Sequence, residues 1–182
     1  NVNVSQLNYT VSDDAGLSAC WYTLNNGVTN TTITCGQNVT GLTSTEGSST
    51  WKVYANDTGG LENSSSVTFF KDTIVPAVQF VFPTTAIENY SKNSIDSNVT
   101  ASDSGSGLSG INITLYNSTG IYQSNFSATS PFFVNFTSLA DGTYRLNATA
   151  NDTLNNKNST ETRTITLDTT FPQINITFPT TN

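Results

Sequence analysis

Sixteen of the 23 asparagines stand in Asn-x-Ser/Thr triplets: Asn3, Asn8, Asn30, Asn38, Asn56, Asn63, Asn89, Asn98, Asn112, Asn117, Asn125, Asn135, Asn147, Asn151, Asn158 and Asn175. In such a triplet the Asn amide nitrogen accepts an N-linked glycan, provided the middle residue is not Pro, and here it never is. Ser and Thr total 54 of 182 residues, so random placement would give about seven sequons. The excess points to several glycosylated sites. Placement agrees. Asn8, Asn98, Asn112, Asn147 and Asn175 take the outward phase of alternating stretches, beside inward Tyr9, Val99, Ile113, Leu146 and Ile176. The competing reading is that Asn and Thr simply fill solvent faces. A sugar coat also accounts for the low charge, 10% of residues against about 25% in ordinary soluble proteins.

The other reactive residues suggest stapling rather than catalysis. Cys20 and Cys35 fit no zinc spacing, and two ligands cannot close a tetrahedral site. A disulfide in an oxidising compartment is the favoured reading over two buried thiols, worth about 3 kcal/mol by chain entropy. Asp13, Asp14, Asp57, Asp103 and Asp152 fall in turns. Calcium can use such carboxylates, but capping of the turns by local hydrogen bonds is favoured, and no metal site or cofactor is expected. Trp21 and Trp51 could stack on a sugar; Trp51 aligns with inward Leu146 and reads as core. The chain has no His, no phosphate-binding Gly loop and no distinguished carboxylate pair, so no enzyme is expected. Six Lys and Arg against 13 Asp and Glu, a net charge of -7, argue against a nucleic-acid partner. No apolar run reaches membrane-span length. Without a signal peptide or initiating Met, the chain reads as a piece of a longer or processed product.

These residues require strands to position them. Leu7, Tyr9 and Val11 alternate with polar neighbours; Ala19–Leu24 and Thr31–Cys35 flank an Asn-Asn-Gly hairpin signal; Trp51, Val53 and Ala55 line one face. The second half repeats the first. Gly47–Asp57 (GSSTWKVYAND) aligns on Gly142–Asp152 (GTYRLNATAND), and VSDDAGLS from Val11 aligns on ASDSGSGLS from Ala101. Short strands, Gly/Asn/Asp turns and no helical period imply an all-β chain of two β-sandwiches. A linker is also duplicated: DTIVPAVQFVFPTT (Asp72–Thr85) and DTTFPQINITFPTT (Asp168–Thr181).

The Asp141–Asp152 run with its following Asp-Thr-x-x-Pro linker, and the stretch Cys20-Trp21-Tyr22-Thr23-Leu24-Asn25-Asn26-Gly27, resemble tandem immunoglobulin-like repeats of prokaryotic, particularly archaeal, surface proteins. The resemblance implies two tandem immunoglobulin-like sandwiches in an extracellular or cell-surface setting. The second repeat lacks the cysteine pair, with Ile111 at the place of Cys20.

The expected organisation is therefore residues 1–74, a sandwich lacking its own first strand; residues 75–170, a complete one; and residues 171–182, a linker strand that completes the first sandwich of a following unit. Pro172, Ile174, Ile176 and Phe178 would make that inter-unit strand, as Val78, Phe80 and Phe82 close the second sandwich from within. The expected function is a non-enzymatic repeat unit of a heavily glycosylated extracellular fibre or stalk, joined head to tail with copies of itself, between subunits or within one long chain. The alternative is a surface adhesin or carbohydrate-binding module with surface glycans as partner.

Overall fold

The computed structural model describes residues 3–178 and contains strands but no helix among them. Nothing in it is a helix long and apolar enough to cross a membrane. The chain divides between Ile74 and Val75 into two compact units.

In the first unit, β2 (Leu17–Thr23), β3 (Thr31–Ile33), β5 (Gly47–Asp57) and β6 (Glu62–Lys71) form an antiparallel sheet in the order β3-β2-β5-β6. A short pair, β1 (Gln6–Leu7) with β4 (Val39–Thr40), forms the other layer. Strand alternation sends Trp51 and Val53 inward, where they meet Leu7. Trp51 packs edge-on against Phe69, with ring centroids 5.0 Å apart. The strand expected over Leu7–Val11 forms a ladder only at Gln6–Leu7. Tyr9 still packs against the core and Val11 is half-buried, while Asn8 and Thr10 are exposed. The side-chain phase is therefore present without backbone pairing, because no strand lies beside residues 8–12 among the described residues.

The second unit is a two-layered sandwich. One layer is β7 (Ala77–Val81), β9 (Ile95–Ser102) and β12 (Phe132–Phe136), in the order β12-β9-β7. The other contains β8 (Asn89–Tyr90), β10 (Leu108–Asn117), β11 (Gly120–Ser127), β13 (Gly142–Asp152) and β15 (Arg163–Leu167), in the order β11-β10-β13-β15-β8. β14 (Lys157–Ser159) pairs with β13, and β15–β8 pairs in parallel. The period-2 residues of the two layers meet in one core: Ile95, Val99 and Phe136 from one, and Ile111, Ile113, Leu115, Leu146 and Ile165 from the other.

The two units share local devices. Both break register at the start of a central strand, between Leu17 and Ala19 and between Leu108 and Gly110. Gly110 is required there: a Cβ would lie 2.4 Å from the Phe126 ring and 2.9 Å from the Ser127 carbonyl oxygen. Tyr144 donates its hydroxyl to the Ala140 carbonyl at 3.0 Å, a tyrosine corner. Burial pushes that phenol's pKa up, with the neighbouring Tyr122 adding to it. The aligned Ser49 spans the same four-residue step with only a hydroxyl contact to Thr45 at 3.1 Å.

Candidate functional site

Cys20 and Cys35 are joined by a disulfide, with Cα atoms 5.2 Å apart. The hairpin positions them: Cys20 on β2 faces Ile33 on β3, and Cys35 follows the strand by two residues. Asn26 and Gly27 both have positive φ, 54° and 97°, as the Asn-Gly signal requires. The connection is longer than a two-residue turn, because the Thr23 hydroxyl holds the loop by accepting the Gly27 N–H at 2.9 Å.

The turn carboxylates are occupied by backbone. Asp13 Oδ1 accepts the N–H groups of Ala15 and Gly16 at 2.8 and 2.9 Å. The aligned Asp103 accepts those of Gly105 and Gly107 at 3.0 and 2.8 Å. Asp57 accepts the Leu61 N–H, and Asp152 accepts those of Leu154 and Asn156, all at 2.8 Å. Asp14 is exposed. Within the second unit, carboxylate oxygens of Asp103 and Asp152 come within 4.8 Å of one another, the separation of a possible cation-ligand pair. Asp152 already spends its second oxygen on the Asn156 amide at 2.7 Å.

The tryptophans separate. Trp51 is buried in the core. Trp21 stacks on Tyr54 across β2 and β5, with centroids 5.5 Å apart and planes 7° from parallel. The Lys52 ammonium sits 4.9 Å from the Tyr54 ring centre.

None of the sixteen sequon asparagines is buried; Asn56, Asn98, Asn117, Asn125, Asn147 and Asn151 are half-buried and the other ten exposed. Their amide nitrogens are not equivalent. That of Asn125 is itself buried and unpaired, leaving no space for a sugar in the folded chain. Asn3 donates to the Leu42 carbonyl at 3.2 Å and Asn135 to the Asp96 carboxylate. Asn158 donates to the Pro76 carbonyl and Asn98 to the Phe82 carbonyl, each at 2.9 Å.

Those last two bonds grip the two ends of the first linker strand. β7 pairs with β9, Val78 opposite Ala101 and Phe80 opposite Val99, and also approaches β13 and β14. Val78 and Phe80 pack on the core. Phe82 does not, contrary to expectation: it is 93% exposed. The chain leaves the strand in a turn closed by Thr84 N–H to the Val81 carbonyl at 2.9 Å, and the alternation ends with it.

The second linker copy begins in the same way. Thr73 donates its N–H and hydroxyl to Glu46 at 2.9 and 2.8 Å; Thr169 does so to Asp141 at 2.8 and 2.7 Å, and the Thr170 hydroxyl adds a third bond at 2.7 Å. These bonds hold both carboxyls below the usual carboxylate range: for Glu46 chiefly the Thr73 N–H and hydroxyl, for Asp141 chiefly the Thr170 and Thr169 hydroxyls. Beyond the latch the copies differ. Phe171–Phe178 joins no ladder. Phe171, Ile174, Ile176 and Phe178 are 88%, 88%, 80% and 76% exposed, and Pro172 is exposed. Residues 179–182 lie outside the described residues.

A groove of about 470 Å³ opens in the first unit, lined by residues including Tyr9, Val11, Leu17, Ala55, Leu61 and Asn63. Its walls are stretches 9–13, 53–57 and 61–65. They align on 99–103, 148–152 and 156–160, the ends of β9 and β13 and the surroundings of β14. These are the elements beside which β7 lies in the second unit.

No protein-family model and no curated protein matches the chain. Solved structures do. Fibronectin(III)-like modules of Clostridium thermocellum CbhA match at 18% identity over 87% of this chain and 80% of that one, with TM-score 0.40. A tetra-tandem repeat from the extending region of a large adhesion protein matches at 22% identity over 86% of this chain and 43% of that one, with TM-score 0.44. A chimeric titin Z1Z2 matches at 13% identity over 92% and 96%, with TM-score 0.33.

Neither repeat taken alone signals the Glu46 and Asp141 latches or the Asn98 and Asn158 grips. Alignment of the repeats carried a usable signal: Glu46 lies on Asp141 and Asn63 on Asn158.

Proposed function

We propose that this chain is a non-enzymatic structural repeat unit of a heavily glycosylated extracellular fibre or surface stalk of the prokaryotic, archaeal kind. Units join head to tail when the Phe171–Phe178 strand of one enters the first sandwich of the next. One observation carries the reading. Two copies of a linker start on equivalent latches; one is the seated strand β7, and the other stands exposed and unpaired while the groove beside residues 9–13 has the walls of the β7 seat. An exposed apolar strand and an unpaired edge favour each other's company over water. The disulfide fits an oxidising exterior, and the unburied sequons fit a glycan coat.

Deletion of Phe171–Asn182 tests it: truncated chains should remain folded monomers, and filaments should not form. Filaments that persist after this deletion overturn the reading. A denaturing gel distinguishes separate subunits, a band near the unit mass plus glycan, from repeats within one very long chain. An intact mass equal to the bare polypeptide removes the glycan coat. The adhesin reading has one observation in its favour, the stacked Trp21–Tyr54 pair on the outer face of β2 and β5; glycan-array binding abolished by Trp21→Ala would establish it.

A further inference from the structure

The second unit shows how a linker strand is held, and the first unit retains two of the holding side chains. In the second, Asn158 on β14 donates its amide to the Pro76 carbonyl at the start of β7, and Asn98 on β9 donates to the Phe82 carbonyl at its end. Asn158 is oriented by its own oxygen, which accepts the Ser159 N–H at 2.9 Å. The equivalent of Asn158 is Asn63, whose oxygen accepts the Ser64 N–H at 2.8 Å. Asn63 lines the groove. The equivalent of Asn98 is Asn8, exposed beside the inward Tyr9. A third contact has no counterpart: Arg163, which donates to the Thr85 carbonyl at 3.1 Å and covers the Phe80 ring, aligns with Val67. The incoming strand must therefore be positioned without an arginine.

We propose that Asn8 and Asn63 are a pair of amide clamps for the Phe171–Phe178 strand of a second copy, not glycan acceptors: Asn63 donates to the Pro172 carbonyl and Asn8 to the Phe178 carbonyl. This rests on the head-to-tail reading. The register follows from that of β7 on β9, where Val78 faces Ala101 and Phe80 faces Val99. Ile174 then faces Val11 and Ile176 faces Tyr9, both pointing into the groove. Asn175 faces Thr10 on the outer side. Phe178, like Phe82, stays outside and contributes its carbonyl rather than its ring. The nitrogen that would carry a sugar is the one that makes the clamp, so a glycan on Asn8 or Asn63 would place its first ring at the strand's seat. Of the four sequons in this geometry, Asn98 and Asn158 are already engaged within the chain, and Asn8 and Asn63 become engaged on docking.

The test uses the full 182-residue chain. Glycopeptide mass spectrometry of the native protein should find Asn8, Asn63, Asn98 and Asn158 unmodified while exposed sequons such as Asn30 and Asn38 carry sugar; substantial occupancy of Asn8 or Asn63 overturns the proposal. Association of unglycosylated chains, followed by light scattering against concentration, supplies the second readout. Asn63→Asp keeps the acceptor oxygen and removes the donor, as does Asn8→Asp; each should weaken association about tenfold, and Asn30→Asp should not change it. Thr10→Cys with Asn175→Cys should cross-link neighbouring copies, and Ser12→Cys with Asn175→Cys should not. Association that is abolished by deleting residues 171–182 yet indifferent to Asn8→Asp and Asn63→Asp overturns the clamp alone. Absence of any association that depends on residues 171–182 overturns the head-to-tail reading and the clamp with it.

Discussion

The first and second units are built from the same repeat, with the same bulge, the same turn carboxylates and the same latch to the following linker. They differ in what lies beside one strand. In the second unit β7 covers residues 98–102, and Val99 and Ala150 are fully buried. In the first, the equivalent Tyr9 and Ala55 are only half-buried and residues 8–12 join no ladder. Burial at these equivalent positions thus follows whether a strand is paired beside them. The disulfide lies in the first unit, and it stabilises by restricting the unfolded chain.

The difference can be broken by substitution. Leu146→Ala in the second unit's core should cost about 2–5 kcal/mol and lower only that unit's transition in denaturant. A single transition that moves as a whole would show that the units do not unfold separately. Reducing Cys20–Cys35 should remove about 3 kcal/mol from the first unit and leave the second unmoved, widening the gap between two calorimetric transitions. Tyr144→Phe should cost about 1 kcal/mol through loss of the Ala140 bond, and more than Ser49→Ala does in the first unit, measured as midpoint shifts in urea.

The smallest effect is at the latches. Glu46 and Asp141 have carboxyl pKa values depressed in the folded chain, so their contribution is present at neutral pH and is lost as pH falls through those lowered values. Hydrogen-exchange protection of the Thr73 and Thr169 amides should disappear in acid before the sheets unfold. Asp141→Asn should weaken protection at Thr169 across the whole pH range and leave Thr73 unchanged.

Much of this was legible in the residues. Alternation identified the inward face of β5, β10 and β13, and gap-free alignment of Gly47–Asp57 on Gly142–Asp152 revealed the repeat. The Asn-Gly turn brings the cysteines together, and the Asp residues of the turns cap neighbouring backbone N–H groups, as their residue type implies. Alternation misled where it outran the backbone. It carried Phe82 into the core, although the turn at Val81–Thr84 had already ended the strand. It also made Leu7–Val11 a strand, when pairing depends on a neighbour that periodicity cannot supply. The sequon rule is equally local. It recognises an acceptor triplet but not whether the amide nitrogen is buried, as at Asn125, or bonded to a carbonyl 82 positions away, as at Asn158.

The latch on Asp141 also decides where mechanical load enters the fold. Asp141 immediately precedes β13, which lies between β10 and β15 in its sheet. A pull on Phe171–Phe178 is borne first by three short bonds from Thr169 and Thr170 to that carboxylate. Tension therefore reaches the root of a central strand before it can peel the end of β15 from Gly142, and Glu46 places the first unit's linker in the same relation to β5.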